Sequence, residues 1–138
     1  MAVIVLDASA SLAWCFEDET TDKIKRLFER LSTGDSAFVP AHWPIEVSNG
    51  LLLAQRRKRI SPNLRSQYWN QFFDLPIYVD RPLSESDVNR VLAISEKHGL
   101  TTYDGAYVDL ALSRGAALAS LDTSMRRAAK AEGIAILP

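Results

Sequence analysis

Short apolar runs alternate with longer amphipathic stretches along this sequence. The short runs are apolar on both faces, which predicts strands of a parallel sheet that is covered by helices. The strand candidates are Val3–Leu6, Ala37–Val39, Ile77–Val79, Ala117–Ser120 and Ile134–Ile136. The first of these runs ends abruptly in an acid, Asp7, where a buried strand would be expected to continue or turn.

The stretches between the strands carry helix signals. Ser9 or Ser11 is expected to cap a short helix that runs through about Phe16. Residues Ser84-Glu85-Ser86-Asp87 resemble a capping box, and Gly99 predicts the end of that helix. Apolar periodicity, proline and glycine positions predict further helices over Thr20–Leu31, Pro44–Arg57, Ser61–Phe73, Tyr103–Ser113 and Thr123–Ala131.

This alternation predicts an α/β fold, a three-layer α/β/α sandwich around a mainly parallel sheet of roughly five strands. A length of 138 residues indicates a single domain over residues 1–138. Functional groups of parallel sheets collect beyond the carboxyl ends of the strands. Asp7 follows the first predicted strand and Asp122 follows the fourth, so both are expected at that edge.

Composition says more about the cellular compartment of the protein than about its function. The single cysteine, Cys15, excludes an internal disulfide, fits a reducing compartment and is expected to be a buried thiol. The N-terminus lacks a basic leader and no apolar stretch reaches membrane-spanning length, so a cytoplasmic protein is expected. The formal charge of −1 is not that of a general nucleic-acid binder, yet bound divalent cations would reverse the local sign.

Two more acids lie where helices begin, Glu46 in "PAHWPIEVSNGLL" and Asp104 in "LTTYDGAYVDLAL". Taken singly, each acid could equally be a helix cap or a turn residue. Taken together, carboxylates at one sheet edge would repel one another unless a cation neutralised them. Oxygen ligands select Mg²⁺ or Mn²⁺, and the isolated His42 and His98 do not support zinc.

The sequence resembles the PIN domain family, and within it the VapC-type toxins of toxin–antitoxin pairs. The resemblance rests on four segments in the family's order and spacing, and it covers essentially the whole chain. These segments are "VLDASASLAW", "PAHWPIEVSNGL", "LTTYDGAYVDLAL" and "ALASLDTSMRRAAKAEGI".

The resemblance implies a metal-dependent endoribonuclease that uses Mg²⁺ or Mn²⁺ and leaves a 5′-phosphate and a 3′-hydroxyl. Asp7, Glu46 and Asp104 match the three acids of the family's metal site, and Asp122 matches the fourth, which acts directly or through water. Three further residues match polar positions that we expect to orient carboxylates and water: Ser9, Asn49 and Ser120.

Two positions depart from the family pattern without touching the four acids. Gly105 replaces the commoner alanine after the third acid, which weakens helix initiation slightly. Asp109 lies about 140° around the helix from Asp104, so the two carboxylates should point apart. Asp109 is therefore expected to be solvated.

The resemblance also implies an RNA substrate, an antitoxin partner and a homodimer. Arg126 and Arg127 could contact an RNA backbone at the rim of the site. The basic cluster Arg56–Arg59 could be a solvated helix end, an RNA contact or an antitoxin contact.

The main alternative to a nuclease is a catalytically inactive PIN-like module that binds RNA or protein. A haloacid-dehalogenase-type phosphatase fits less well, because it needs a second acid where Ser9 stands. A receiver domain needs adjacent acids after the first strand, and these are missing here.

Overall fold

The computed structural model describes residues Met1–Pro138. Its five strands form one sheet in the order β3-β2-β1-β4-β5, and every neighbouring pair is parallel. The strands are β1 (Val3–Leu6), β2 (Ser36–Val39), β3 (Ile77–Val79), β4 (Ala117–Ala119) and β5 (Ile136–Leu137). The predicted parallel sheet is therefore confirmed.

Helices flank this sheet, as the alternating pattern predicts. They are α1 (Ala8–Cys15), α2 (Asp22–Ser32), α3 (Trp43–Arg56), α4 (Pro62–Gln71), α5 (Glu85–His98), α6 (Thr102–Arg114) and α7 (Thr123–Ala131), with a 3₁₀ turn at Phe72–Asp74. Helix α1 packs against α2 and α3, α3 packs against α4, and α6 packs against both α5 and α7. None of these helices combines the length and apolarity needed to span a membrane.

The strand order reverses at β1, which is the central strand of the sheet. From β1 the sheet grows through β2 to β3 on one side and through β4 to β5 on the other. In open α/β sheets, ligands bind in the crevice at this kind of reversal, outside the carboxyl ends of the strands. The backbone N–H of Asp7 donates to the carbonyl of Ala119 at 3.0 Å, so Asp7 lies at that crevice.

The beginning of α1 differs from the prediction. Asp7, rather than Ser9 or Ser11, is the N-cap residue, and its Oδ1 accepts a hydrogen bond from the Ala10 N–H at 2.8 Å. Asp7 has extended backbone angles and a short acceptor side chain, which are the properties of an N-cap. The strand and the helix therefore meet at this single acid.

Other local signals are confirmed. Ser84 and Asp87 form a reciprocal capping box at the start of α5, and Gly99 ends that helix in the left-handed conformation. Strand β5 begins two residues later than expected, because the Ile134 N–H still closes the end of α7 by donating to Ala129. The expected buried thiol is also present: Cys15 is buried, and burial raises its pKa to about 12.

Candidate active site

Asp7 is a buried carboxylate with several hydrogen-bond donors around it. Only 2% of the residue is exposed. Oδ1 accepts from the Ser9 hydroxyl at 2.7 Å and from the Ala10 N–H, while Oδ2 accepts from the Ser120 hydroxyl at 2.5 Å. These donors fix the orientation of the carboxylate at the end of β1.

The same two serines join Asp7 to the turn between β4 and α7. The Ser9 hydroxyl accepts a hydrogen bond from the Leu121 N–H at 2.9 Å, and the Ser120 hydroxyl accepts one from the Asp122 N–H at 3.0 Å. Oδ2 of Asp122 in turn accepts from the Met125 N–H at 2.8 Å and caps α7. Asp7 and Asp122 are therefore connected through hydroxyl groups.

Glu46 and Asp104 occupy the first turns of two helices. Glu46 is in the first turn of α3, and Asp104 is in the first turn of α6, where its N–H donates to the Thr101 hydroxyl. Acids at these positions face the positive ends of the helix dipoles. Both side chains are partly exposed, as an acid that meets a ligand must be.

The electrostatics show that the four acids are neighbours. Burial and then repulsion from Asp122 raise the pKa of Asp7, which is held at about 6 despite its hydrogen bonds. Burial, Asp122 and Glu46 raise the pKa of Asp104 above its ordinary value. Each of the four predicted acids thus repels at least one other across the sheet edge.

Two residues beside Glu46 carried no functional signal in the sequence. The Tyr107 hydroxyl donates to Glu46 Oε1 at 2.7 Å, and His42 Nε2 lies 3.3 Å from the same oxygen. Burial opposes ionisation of Glu46, but these hydrogen bonds outweigh it and lower the pKa of Glu46. Burial and the bond to Glu46 raise the pKa of Tyr107, which therefore remains a donor.

The missed signals were relative positions along helices. His42 precedes Glu46 by one helical turn, and Tyr107 follows Asp104 by three residues on α6. Residues at these spacings share a helix face. The sequence could have shown that each lies beside an acid, but not that both meet at Glu46.

Some predicted site residues lie apart from the acids. Asn49 is exposed on α3 and forms no side-chain hydrogen bond with Glu46. The Arg126 guanidinium donates to the Ser120 and Leu137 carbonyls at 2.9 and 3.0 Å, which ties it to the end of the chain. Arg127 is exposed. The roles predicted for these residues stay predictions.

The expectation that Asp109 is solvated is wrong. The residue is 8% exposed, and its Oδ1 lies 3.4 Å from Nε of Arg90 on α5. Helix α5 packs along this face of α6 and covers it. Gly105 belongs to the same contact, because a Cβ at this position would lie 1.9 Å from the Ser95 hydroxyl of α5.

The basic cluster at the end of α3 is partly neutralised. Helix α3 ends at Arg56, and Arg59 turns back towards α1. Nη2 of Arg59 lies 3.1 Å from carboxylate oxygens of Asp18 and Glu19, and the guanidinium lies over the ring of Phe16. All four basic residues are exposed, but only Arg59 forms ion pairs within the protein.

The acids fit a hard divalent cation by their chemistry. All four offer carboxylate oxygens, the donors that Mg²⁺ and Mn²⁺ prefer. Burial, and to a smaller extent repulsion between the acids, raises the pKa of Asp7 and of Asp104, and a cation between the carboxylates would remove the repulsion. In the structure, no three His, Cys, Asp or Glu side chains are arranged as a complete set of metal ligands.

These features define a class: a parallel α/β protein whose site is a group of carboxylates at the carboxyl edge of the sheet. The chain belongs to the PIN domain family, whose match spans residues 4–131. It is 29% identical over 127 residues to Ribonuclease VapC3 of Pyrobaculum aerophilum, a match that covers 88% of this chain and 91% of that protein.

Solved structures share the fold. PAE2754 from Pyrobaculum aerophilum superposes with a TM-score of 0.75 at 19% identity and covers 98% of this chain and 89% of its own. VapC20 of Mycobacterium tuberculosis, described as a Sarcin-Ricin loop cleaving toxin, gives 0.67 at 15% identity, covering 98% and 99%. VapBC2 from Rickettsia felis, bound to a DNA fragment from its promoter, gives 0.64 at 12% identity, covering 97% and 96%.

Proposed function

We propose that this chain is a divalent-metal-dependent endoribonuclease that acts as the toxin of a VapBC-type toxin–antitoxin pair. The observation that carries the proposal is the group of four acids at the reversal point of the sheet, in which each acid repels at least one of the others. A protein that needed these residues only as caps would gain nothing by placing them together. The similarity to Ribonuclease VapC3 supports RNA as the substrate.

Asp7, Glu46, Asp104 and Asp122 would hold one or two cations. When bound, Mg²⁺ or Mn²⁺ supplies Lewis-acid activation of water and of the phosphodiester. Asp7 brings a carboxylate of fixed orientation, because the hydroxyl groups of Ser9 and Ser120 donate hydrogen bonds to it.

The substrate contacts that we propose follow from exposure and charge. Arg127 is an exposed basic side chain on α7, close in sequence to Asp122, and would contact an RNA phosphate. Arg126 reaches the carbonyls of Ser120 and Leu137, so its contribution is to hold the turn that carries Asp122.

Metal-dependent cleavage is the direct test. We expect the purified chain to cut single-stranded RNA with Mg²⁺ or Mn²⁺, and to lose this activity in EDTA or as Asp7→Asn. Glu29→Gln, which removes an exposed acid of α2, is the matched control and should cleave like wild type. Cleavage that persists in EDTA contradicts the metal mechanism, and a metal-loaded chain without any cleavage supports the inactive-module alternative.

A groove between α3 and α4 supports the proposed antitoxin partner. It encloses about 510 Å³ and includes Ile45, Leu52 and Trp69, with Asn49 and Arg65 at its polar side. Ile45 is 74% exposed, which is a large apolar surface to leave in water. A partner helix with an apolar stripe would cover this surface.

The antitoxin proposal is tested by co-expression with the product of any short reading frame found next to the gene for this chain. Stable co-purification and suppression of growth arrest are expected for wild type. Ile45→Asp should lose both, whereas Leu112→Asp, an exposed position of α6, should retain both. A partner that binds both variants equally does not use the groove.

We also propose that the chain forms a homodimer. Val88 and Leu92 lie one turn apart on α5 and are 39% and 50% exposed, so they present an apolar strip. Light scattering after size exclusion should give a dimer mass for wild type and a smaller mass for Leu92→Asp. A monomeric wild type at high concentration contradicts the proposal.

A further inference from the structure

The Glu46 carboxylate is held through only one of its two oxygens. Oε1 accepts the Tyr107 hydroxyl at 2.7 Å and lies 3.3 Å from His42 Nε2. Oε2 has no hydrogen-bond partner in the protein. The two contacts come from different elements of the fold, because His42 precedes α3 and Tyr107 lies on α6.

The chemistry of both contacts is defined by their partners. The ring of Tyr107 is buried, with 1% of the residue exposed, so its hydroxyl has a fixed position. His42 Nε2 lies 3.1 Å from the Tyr103 carbonyl as well as 3.3 Å from Glu46. Both of those oxygens are acceptors, so Nε2 must carry the hydrogen.

The two contacts connect Glu46 to the helix that carries Asp104. Tyr107 follows Asp104 on α6, and the carbonyl that His42 contacts belongs to Tyr103, the residue before Asp104. The rings of His42 and Tyr107 also meet edge to face, with centroids 5.2 Å apart. Glu46 and Asp104 thus have a defined separation although they lie on different helices.

We infer that Tyr107 and His42 are positioning residues, which hold Glu46 by Oε1 and reserve Oε2 for a divalent cation. This inference rests on the proposed metal-dependent function. A carboxylate on a flexible side chain loses rotamer freedom when it ligates a metal, and a carboxylate that is already held loses less. Hydrogen-bond partners of ligands typically contribute about 10- to 100-fold to metal affinity.

The test is Mn²⁺ binding, measured from the electron paramagnetic resonance signal of free Mn²⁺ without RNA. Tyr107→Phe removes one hydroxyl and keeps the buried ring, and we expect about 10-fold weaker binding. Tyr78→Phe removes the hydroxyl of an exposed tyrosine on β3 and should bind like wild type. The thermal midpoint of the metal-free protein should be similar in all three proteins.

A second variant keeps the inference testable if Tyr107→Phe does not fold. His42→Ala removes a partly exposed side chain that makes no capping hydrogen bond to α3, and it should weaken Mn²⁺ binding several-fold. Wild-type affinity in both folded variants overturns the inference. If the wild type itself binds no Mn²⁺, the proposed metal-dependent function fails instead, so the two failures are distinguishable.

Discussion

Ser120 Oγ donates to Asp7 Oδ2 at 2.5 Å and joins two residues that are 113 positions apart in the sequence. Ser120 is fully buried at the end of β4, and Asp7 is buried at the end of the neighbouring strand β1. The same hydroxyl accepts from the Asp122 N–H. One buried serine therefore sets both the orientation of Asp7 and the start of the turn that carries Asp122.

Ser120→Ala should reduce RNA cleavage by about 10- to 100-fold, because Asp7 loses a donor that orients it. The variant also loses a buried hydrogen bond, which should cost about 1–3 kcal/mol of stability, so rates are compared well below the thermal midpoints of both proteins. Rates under saturating Mg²⁺ measure the effect. Ser113→Ala removes an exposed hydroxyl of α6 and serves as the control. Unchanged rates in Ser120→Ala would show that Ser9 and Ala10 suffice to orient Asp7.

Gly105→Ala should destabilise the protein even though alanine favours helices. The gain in helix propensity is about 1 kcal/mol. Against it, the new Cβ would lie 1.9 Å from the Ser95 hydroxyl and 3.3 Å from the Val91 carbonyl, and overpacking of this kind costs about 1–3 kcal/mol. Urea denaturation should therefore give a net loss of about 1 kcal/mol.

The double variant Gly105→Ala with Ser95→Ala separates propensity from packing. Removing the Ser95 hydroxyl removes the atom nearest to the new Cβ. The only hydrogen bond lost is a long one, 3.3 Å from Ser95 Oγ to the Thr101 carbonyl. We expect the double variant to be more stable than Gly105→Ala alone. Equal stability of the two would place the strain at the Val91 carbonyl instead.

The sheet and the positions of the acids could be predicted because their signals are local. Short apolar runs define the strands, and the end of each strand fixes where Asp7 and Asp122 lie. The capping box of Ser84 and Asp87 was equally visible, since its members are three residues apart. Patterns of this kind need no knowledge of the tertiary structure.

Contacts between helices could not be predicted in the same way. Asp109 was expected in water, but its surroundings depend on where α5 crosses α6. Gly105 looked like a weak helix start, whereas its lack of a Cβ allows that crossing. Tyr107 carried no functional signal in the sequence, because only the approach of α3 gives its hydroxyl an acceptor.

The ionisation of Asp87 should make the stability of the fold depend on pH in the acid range. Hydrogen bonds from Arg81, the Ser84 N–H and Arg90 lower the pKa of Asp87 below its ordinary value. A lowered pKa in the folded state stabilises the protein above the unfolded-state pKa of about 4, and this contribution is lost as pH falls towards the folded-state pKa. Asp87→Asn should therefore lower the thermal midpoint by several degrees at pH 7 and progressively less below pH 4.

The control for this titration is Glu85→Gln, which changes an exposed acid in the same first turn of α5. Its thermal midpoint should follow the wild-type pH profile closely. A difference between wild type and Asp87→Asn that stays constant from pH 7 to pH 3 would mean that shape, rather than ionisation, makes Asp87 important.

Ser11 links the indole of Trp43 to the backbone of Asp7. Trp43 Nε1 donates to the Ser11 hydroxyl at 3.0 Å, and that hydroxyl donates to the Asp7 carbonyl at 2.6 Å. Both residues are buried, so Ser11→Ala leaves the indole N–H without an acceptor. An unsatisfied buried donor costs about 1–3 kcal/mol, and urea denaturation should show a loss in that range.

The coupling between Ser11 and Trp43 can be measured by a double-mutant cycle. Trp43→Phe alone loses buried area and also frees the Ser11 hydroxyl, and it should destabilise the protein substantially. Adding Ser11→Ala to Trp43→Phe should cost less than Ser11→Ala costs in wild type, because no indole N–H remains to be orphaned. If the two costs are equal, the serine stabilises the fold through the Asp7 carbonyl alone. The predicted inequality would instead show that Trp43 on α3 is coupled through Ser11 to the strand end that carries Asp7.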